Sequence, residues 1–431
     1  MPPPPHDPAT ETSTGGIKKT ELVASGHSVL QGFQCAVGAF GTYACMYGFR
    51  KPFAAGLYVE DPFSPGMKAS LVGAQVLGYT LSKMIGIRVI AEMPAKRRIA
   101  TLLALVAVAE SAWILFGALP PRFGVVCLFL NGLPLGMVFG LVLGFLEGRR
   151  LSEVFIAALC CSFILADGLA KSVGLELLQA GTPERWMPAV AGAVFALPLV
   201  LFAAMLSRVA PPSDADVTAR AARVPLDKSN RFAFLRKHIA IVGLICLAYL
   251  LITVLRSIRA DFAREIWKAL GATGDAAIFT RSESWVAIAV LVPMAFLARI
   301  RDNRRAFDSG LTLSCLGLTT VALSCWAWKW GVLSPFPFMV LIGAGLYLPY
   351  VAVHATIFER WIALTRDRAN LGYLMYLADS AGYLGVCGVM LTRGGAFTEQ
   401  SVLDLFLDAG LGISIIGIVA FAMAIALSRR R

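Results

Sequence analysis

Charged residues are scarce in this chain of 431 residues, where Asp, Glu, Lys and Arg together make up only 15%. Soluble globular domains carry about 25% charged residues, with about half of their residues apolar. In this chain the apolar share reaches 57%. This balance excludes an ordinary soluble domain, because the chain holds too little charge to cover the surface of one.

Residues that build metal and catalytic centres are also few. The chain has four histidines, of which only His354 falls within a long apolar stretch, and its nine cysteines show no CxxC or Cys/His spacing. No GxxxxGKS or GxxxxGKT motif is present, so a nucleotide-driven motor is excluded. We therefore expect no metal, no cofactor and no enzymatic activity. A lipid-modifying transferase is the weaker alternative.

Long apolar stretches take the place of charge. A helix needs about 20 apolar residues to cross a ~30 Å hydrocarbon core, and only helices and closed barrels satisfy their backbone hydrogen bonds in lipid. The sequence therefore predicts an all-α integral membrane protein with twelve transmembrane helices. The predicted spans lie near 28–57, 67–91, 99–119, 124–147, 153–179, 186–207, 239–263, 279–299, 307–328, 335–360, 370–391 and 405–427.

Basic residues are distributed unevenly between the connecting segments. They cluster at 96–98, in 208–238 and at 429–431, all of which fall on the same side of the predicted membrane. Such a bias is typical of the cytoplasmic side. We therefore expect both termini on the cytoplasmic face of a bacterial inner membrane, and we do not attribute the net charge of +12 to nucleic-acid binding.

The longest hydrophilic interior segment, 208–238, follows six predicted spans and precedes six more. We expect it to be a cytoplasmic linker between an N-terminal six-helix bundle, 27–207, and a C-terminal one, 239–428. The start of the chain, 1–26, is rich in proline and polar residues and is expected to be disordered. Residues 429–431 form a basic tail.

A faint repeat relates the two predicted bundles. The tripeptide Leu-Ala-Asp ends at Asp167 in the first half and at Asp379 in the second, at equal distances after Glu147 and Glu359. Two six-helix bundles related by a parallel repeat are the plan of the major facilitator superfamily. In that plan the substrate binds near the midplane, between the bundles.

Arg50 and Arg256 occupy matching places in apolar segments of the two halves. A tyrosine, Tyr43 or Tyr249, precedes each by about two helical turns and so shares its helix face. A guanidinium keeps its charge, and placing it at bilayer depth costs at least ~2.5–3.5 kcal/mol unless it faces water or an anion. The pair predicts a site for an anionic solute. The alternative is that each arginine anchors its helix at the membrane interface.

Tyrosine and lysine side chains accompany these arginines within the predicted spans. Tyr43 and Tyr47 are one helical turn apart, and so are Tyr79 and Lys83, so each pair shares one helix face. Lys83 falls deep in the second span. We expect it to add charge to the anion site, and the alternative is a structural ion pair with Asp167 or Asp379.

Asp167 and Asp379 also fall within predicted spans, where a carboxyl group is either paired or protonated. We expect them to balance the basic residues when substrate is absent, with Lys171 paired to Asp167 one turn away. Two alternatives stay open: a proton relay in a proton-coupled symporter, and a structural hydrogen bond between helices. His354 is expected to be a packed histidine with satisfied hydrogen bonds.

These residues resemble a motif of the organophosphate:phosphate antiporters of the major facilitator superfamily. The resemblance implies that arginines from opposite halves bind a phosphoryl group and that a lysine adds charge nearby. The fifth span lacks the substrate-contacting histidine of that family and offers Asp167 and Lys171 instead. The matching positions are Tyr43-xxx-Tyr47-xx-Arg50-Lys51, Tyr79-xxx-Lys83 and Arg256.

The sequence as a whole predicts a secondary transporter of a small organic anion, a phosphate ester or a carboxylate, that works by alternating access. Exchange for phosphate is one expected driving reaction, and a non-transporting receptor on the same fold is the alternative. The expected partners are the solute and the lipid bilayer, with the protein a monomer. The predicted substrate-binding residues are Arg50, Lys83, Arg256, Tyr43, Tyr47 and Tyr79, and the predicted charge-balancing residues are Asp167, Lys171 and Asp379.

Overall fold

In a computed structural model that is 88% helical, twelve helical passes follow one another within the residues that the structure describes. The prediction of an all-α membrane protein is confirmed, and the described ranges contain no strand. The structure describes residues 32–58, 67–91, 93–146, 152–209, 228–272, 274–365, 371–392 and 399–430. The predicted N-terminal segment, 1–26, lies outside these ranges, as do residue 431 and most of the predicted linker.

The first six passes form the N-terminal half. They are α1 (32–47), α2 (Met67–Ala91), α3 (Ala95–Ala118), α4 (Gly124–Leu135 and Val138–Leu146), α5 (Ser152–Gln179) and α6 (Met187–Ser207). The other six form the C-terminal half. They are α7 (Lys228–Asp261), α8 (Ala277–Ala298), α9 (Asn303–Lys329), α10 (Pro335–Ala352 and Phe358–Thr365), α11 (Leu371–Thr392) and α12 (Glu399–Arg429). Short helices at Pro52–Ala55, Pro121–Phe123 and Ala263–Ala269 lie between passes.

Nine of these passes are long and apolar enough, within the described residues, to cross a membrane. The remaining three are α1, α2 and α5. Two of them carry the charges that the sequence singles out, Lys83 in α2 and Asp167 with Lys171 in α5. Those three side chains are buried inside the protein, so α2 and α5 place their charges against other helices.

The seventh pass begins earlier than the apolar pattern indicates. Helix α7 starts at Lys228, so the last residues of the predicted 208–238 linker are helical, and His238 lies within α7. Residues 210–227 lie outside the described ranges. The sequence places the start of the span at 239 because charged residues precede it, but a helix continues past its apolar part when its backbone hydrogen bonds stay satisfied.

Two passes are interrupted within their length. In α4 a turn at 136–137 follows Pro134, and in α10 a π-helical turn, Val353–Ile357, follows Pro349. A proline has no amide hydrogen and clashes with the preceding turn, so it disturbs the helical hydrogen-bond ladder. The π-helical turn of α10 carries His354, one of the residues described below.

Close packing within the N-terminal half depends on glycine. A Cβ atom at Gly132 of α4 would lie 2.0 Å from the carbonyl oxygen of Gln75 in α2. One at Gly78 of α2 would lie 2.3 Å from the carbonyl oxygen of Phe129. Small residues allow helices to approach closely in lipid, where apolar burial gives no driving force for association. These glycines therefore serve helix packing.

The two halves meet along two helix pairs, α2 with α11 and α5 with α8. At the second pair, a Cβ atom at Gly168 would lie 2.7 Å from the carbonyl oxygen of Phe279. Arg50 lies in the turn that follows α1 in the N-terminal half, and Arg256 lies within α7 in the C-terminal half. The polar residues of the candidate site therefore lie between the two halves.

Candidate functional site

Arg50 is positioned by hydrogen bonds to the main chain directly before it. Helix α1 ends at residue 47 and passes into a turn at 48–50, ahead of Pro52. The carbonyl oxygen of Phe49 accepts hydrogen bonds from Nε1 of Trp113 (2.6 Å) and Nδ2 of Asn131 (3.0 Å). Because both donors are buried on other helices, they hold the last turn of α1 in place, and Arg50 with it.

Both arginines lie against aromatic faces. The guanidinium carbon of Arg50 is 4.1 Å from the centre of the Tyr79 ring. That of Arg256, within α7, is 4.3 Å from the ring centre of Tyr350 and 5.6 Å from that of Tyr347. Arg50 is 7% exposed and Arg256 9%, so neither side chain reaches the protein surface as an interfacial anchor would.

The two arginines line the same central cavity, although they come from opposite halves. The cavity has a volume of about 20 Å³, which holds about one water molecule. A solute the size of a phosphate ester can enter only if the halves move apart. The lining residues are Tyr47, Arg50, Lys51, Asp167, Arg256, Ser257, Ala260, Asp261, Tyr347 and Tyr383.

The other buried cations around this cavity are paired with carboxylates. Lys51 lies 2.5 Å from Asp261 and 3.5 Å from Asp167. Lys171 also contacts Asp167, one turn away in α5, as the sequence predicts. These contacts link α5, α7 and the segment that follows α1 through two carboxylates. The pairing is expected on physical grounds, because an isolated buried charge is costly.

A further buried pair lies within the C-terminal half. Nη1 of Arg259 in α7 lies 2.8 Å from Oε1 of Glu283 in α8, and Nη2 donates to the carbonyl oxygen of Met339. The side chain passes Gly343 of α10, where a Cβ atom would lie 2.6 Å from Nη2. Arg259 is therefore an interior residue.

Arg50 and Arg256 differ from these cations. In the part of the chain that the structure describes, neither guanidinium forms an ion pair with a carboxylate. The Nε atom of each is buried without a hydrogen-bond partner. The cavity is therefore lined by two arginines that have no carboxylate partner among the described residues, because the carboxylates that line it, Asp167 and Asp261, are paired with lysines.

Asp379 is the centre of a second polar cluster, next to the cavity. Its carboxylate contacts the ammonium group of Lys83, from the other half of the molecule. The hydroxyl of Tyr249 donates to Oδ1 at 2.5 Å, and Nε2 of His354 lies 3.3 Å from the same oxygen. Of the two aspartates open to Lys83 from the sequence, Asp379 is the one it contacts.

Tyrosines separate Lys83 from the cavity. Its Nζ lies 5.2 Å from the ring centre of Tyr79 and 4.8 Å from that of Tyr383, and Lys83 itself does not line the cavity. Tyr47 does line it, whereas Tyr43 packs behind, with its ring 5.6 Å from Tyr47. The structure thus brings Arg50, Arg256 and Tyr47 to one space and leaves Tyr43 and Lys83 a layer away.

Several residues of this region do not stand out in the sequence analysis. Asp261 and Tyr383 line the cavity, and Glu283 pairs with Arg259. A signal exists for Glu283, which is a lone carboxylate within a long apolar segment and so needs a partner. Tyr383 has no such signal, because tyrosine is common in packed helices. Among the described residues, no group of three or more His, Cys, Asp or Glu side chains could hold a metal ion.

One end of the interface between the halves is closed by ion pairs and hydrogen bonds. It is the end at which α7 finishes, at Asp261. Nζ of Lys68 in α2 lies 2.5 Å from Glu265 and donates to the carbonyl oxygens of Ala54 and Gly56. These contacts join segment 52–58 of the first half to the short helix Ala263–Ala269 of the second.

The fold matches those of solved membrane transporters. A D-xylose–proton symporter is similar over 92% of this chain and 97% of its own length, with 13% identity and a TM-score of 0.59. The nucleoside transporter NupG is similar over 91% and 99%, with 14% identity and a TM-score of 0.60. A bacterial homologue of the human lysosomal transporter Spinster, in an inward-facing and unoccupied conformation, is similar over 93% and 97%, with 12% identity and a TM-score of 0.61. At such identities the likeness shows the fold alone, which is that of major facilitator superfamily transporters.

The sequence family is defined separately. Residues 52–431 match the family DUF5690, whose description is a family of unknown function, and the chain belongs to that family. No curated protein matches the chain in sequence. That family description names no activity.

Proposed function

We propose that the protein is a secondary transporter of a small organic anion, a phosphate ester or a carboxylate, which binds between Arg50 and Arg256. One observation carries this proposal. Two buried guanidiniums, one from each half, line a single cavity and have no carboxylate partner among the described residues. An anion between them would supply the missing negative charge.

The magnitudes favour an anionic ligand over aromatic packing alone. Burying an ion costs several kcal/mol even after relaxation, whereas a cation–π contact returns about 0.5–2 kcal/mol. The rings of Tyr79 and Tyr350 therefore offset only part of the cost of Arg50 and Arg256. Phosphate and carboxylate groups accept paired hydrogen bonds from guanidinium groups, and such charge-assisted bonds are about twice as strong as neutral ones.

Alternating access follows from where the two arginines lie. An anion held by both halves at once favours the closed arrangement, and its release allows the halves to separate at one end or the other. The transporter fold of the three compared structures supports this mechanism. The placement of basic residues supports cytoplasmic termini in a bacterial inner membrane. Exchange for phosphate is one driving reaction to be tested.

Ligand binding can be tested on the purified full-length protein by thermal unfolding. A ligand that binds the folded state stabilises it by RT ln(1 + [L]/Kd). We expect inorganic phosphate, glycerol 3-phosphate or succinate to raise the apparent melting temperature, and glycerol, which carries no charge, to leave it unchanged. Stabilisation by neutral solutes with no response to any of the anions would contradict the proposal.

Substitution of the arginines tests their role directly. We expect Arg50→Lys and Arg256→Lys each to weaken anion binding and uptake into liposomes by roughly tenfold or more, since lysine keeps the charge and loses the paired geometry. Arg122→Lys, at an exposed position outside the cavity, is the matched control and should behave as wild type. Uptake that survives both cavity substitutions would overturn the proposed site, and anion binding without any uptake would favour a receptor.

A further inference from the structure

We propose that His354 is the proton-binding residue of this transporter and that one proton crosses the membrane with each anion. The proton would add to the Nε2 lone pair from water on one side and leave to water on the other. The binding of the proton stands on the geometry of the Asp379 cluster alone. Its movement with the anion rests on the proposed function.

Both ring nitrogens of His354 face oxygen atoms. Nδ1 lies 3.1 Å from the carbonyl oxygen of Tyr350. A carbonyl oxygen only accepts hydrogen bonds, so Nδ1 must carry a hydrogen in this contact. In neutral imidazole the other nitrogen is then an acceptor. Nε2 would therefore present a lone pair to Oδ1 of Asp379, 3.3 Å away, which is itself an acceptor.

Tyr249 does not supply the hydrogen that is missing between Nε2 of His354 and Oδ1 of Asp379. Its hydroxyl lies 2.5 Å from Oδ1 of Asp379 and 3.4 Å from Nε2 of His354. A hydroxyl has one hydrogen, and the shorter contact with a carboxylate takes it. When His354 is neutral, the carboxylate and Nε2 lone pairs face each other without a hydrogen between them. A proton on Nε2 turns that contact into a charge-assisted hydrogen bond.

The groups around His354 determine what the added proton does. Tyr249 reaches it from α7, Asp379 from α11, and Tyr350 precedes it in α10. Lys83 of α2 approaches through the opposite oxygen of Asp379, and Tyr383 lies beside Lys83. Asp379 is the one carboxylate among these groups. Protonated His354 and Lys83 would therefore share a single negative charge.

This sharing connects the proton to the movement of the halves. Lys83 belongs to the N-terminal half, while Asp379, His354 and Tyr249 belong to the C-terminal half. A proton on His354 strengthens the contact between His354 and Asp379 within the C-terminal half. It thereby weakens the ion pair of Asp379 with Lys83, which joins the two halves. It also adds positive charge one layer from the cavity, next to Tyr350, which lies under the Arg256 guanidinium. Proton and anion therefore favour each other's binding.

The backbone at His354 is also unusual. It lies in the five-residue π-helical turn Val353–Ile357 inside an otherwise α-helical pass. Such turns are rare and occur mostly at functional sites. The turn directs the His354 ring onto Tyr249 and Tyr350, with ring centres 5.2 and 4.9 Å apart, in a buried position at the interface between the halves.

Nitrogen NMR of the purified full-length protein, labelled at the histidine rings, tests the proton site without any substrate. The four histidines are few enough to resolve, and His354→Gln assigns the signal. We expect the His354 ring to gain a proton at Nε2 as the pH is lowered, and the spectrum of that protonated ring to differ in Asp379→Asn, which lacks the carboxylate that accepts from Nε2. Asp408→Asn, at an exposed carboxylate, is the control and should leave the titration unchanged. A ring that stays neutral down to pH 5, or doubly protonated up to pH 10, overturns the proposal.

Liposomes with a pH-sensitive dye inside test the coupling. At about pH 8, where glycerol 3-phosphate and succinate keep a fixed charge, entry of either anion should acidify the interior in wild type. His354→Gln should abolish that acidification while keeping anion exchange between the two sides. Wild-type anion entry without proton movement overturns the coupling. If neither anion enters, the proposed function fails, and the NMR titration still decides whether His354 binds a proton.

Discussion

Neighbouring cations of this protein have different roles because their carboxylate partners differ. Arg50 and Lys51 are adjacent in sequence, yet Lys51 is paired with Asp261 while Arg50 lies against the Tyr79 ring. Removing the partner of a buried ion is far more damaging than replacing the whole pair by apolar groups. At the residue scale, the paired cations hold helices together, and the two unmatched arginines are available to a ligand.

The Arg259–Glu283 pair allows this difference to be measured. Arg259→Met leaves Glu283 buried without its partner, and we expect a loss of about 3–5 kcal/mol of stability. The double variant Arg259→Met/Glu283→Leu should recover most of that loss, because no unpaired charge remains. The apparent melting temperatures of the wild type, both single variants and the double variant provide the measurement. If the loss of stability in the double variant equals the sum of the losses in the two single variants, the two residues do not act as a pair.

The sequence locates the arginines but not the pattern of pairing. A charge within an apolar run signals its own cost, so Arg50, Arg256, Asp167 and Asp379 stand out without a structure. Which carboxylate meets Lys83 depends on which helices pack together, and several arrangements satisfy the same pattern. The contact with Asp379 is known only once α2 is seen to pack on α11.

At the scale of helices, the length of each apolar stretch predicts that a helix exists there and where it falls in the chain order. The reason is that backbone hydrogen bonds in lipid must be made within each helix. Interruptions within a helix are harder to predict. Pro349 marks where α10 is disturbed, but whether the helix kinks or takes up a π-helical turn depends on its neighbours. His354 therefore looks like an ordinary packed residue in the sequence, and its two acceptor contacts become visible only in the structure.

The contact between α5 and α8 gives a prediction at this scale. Gly168→Val places branched side-chain atoms where even a Cβ atom would lie 2.7 Å from the carbonyl oxygen of Phe279. Backbone cannot yield as a flexible side chain does, so the helices must separate. We expect a lower apparent melting temperature and impaired uptake, since this pair forms part of the interface between the halves.

Gly243→Val in α7 is the matched control for that substitution, because nothing lies within 4 Å of a Cβ atom there. It introduces the same branched side chain into a helix without a close neighbour. It should change stability only by the small difference in helix propensity, which favours valine over glycine. Equal effects of the two substitutions would mean that the close approach at Gly168 is not what the valine disturbs.

For the whole molecule, the count of spans and the central hydrophilic segment predict a two-bundle plan. They do not predict the conformational state, because a single sequence encodes every state that the protein adopts. In this structure the cavity is small, and the end of the interface at which α7 finishes is closed. Lys68 is central to that closure, as it binds Glu265 and two carbonyl oxygens of segment 52–58.

We expect Lys68→Met to favour opening at that end. The substitution leaves Glu265 buried without its partner and releases the carbonyl oxygens of Ala54 and Gly56, so the closed state loses stability while an open, hydrated one does not. Hydrogen exchange of the full-length protein should then become at least tenfold faster in segments 52–58 and 263–269. Exchange in the interior of α12 should stay as in wild type, because a shift between states leaves each half folded.

The control for this change is Lys329→Met, which breaks an ion pair with Asp408 at the same end of the molecule. Both partners of that pair are exposed, and exposed pairs contribute about 0–1 kcal/mol, so exchange should not change. Faster exchange in both variants would point to a general effect of lost charge at this end. Unchanged exchange in Lys68→Met would mean that the closed end is held by other contacts, such as the bond of Arg264 to the carbonyl oxygen of Ala55. Exchange that accelerates only in Lys68→Met would identify the buried contacts of Lys68 as those that the proposed alternating-access cycle has to break.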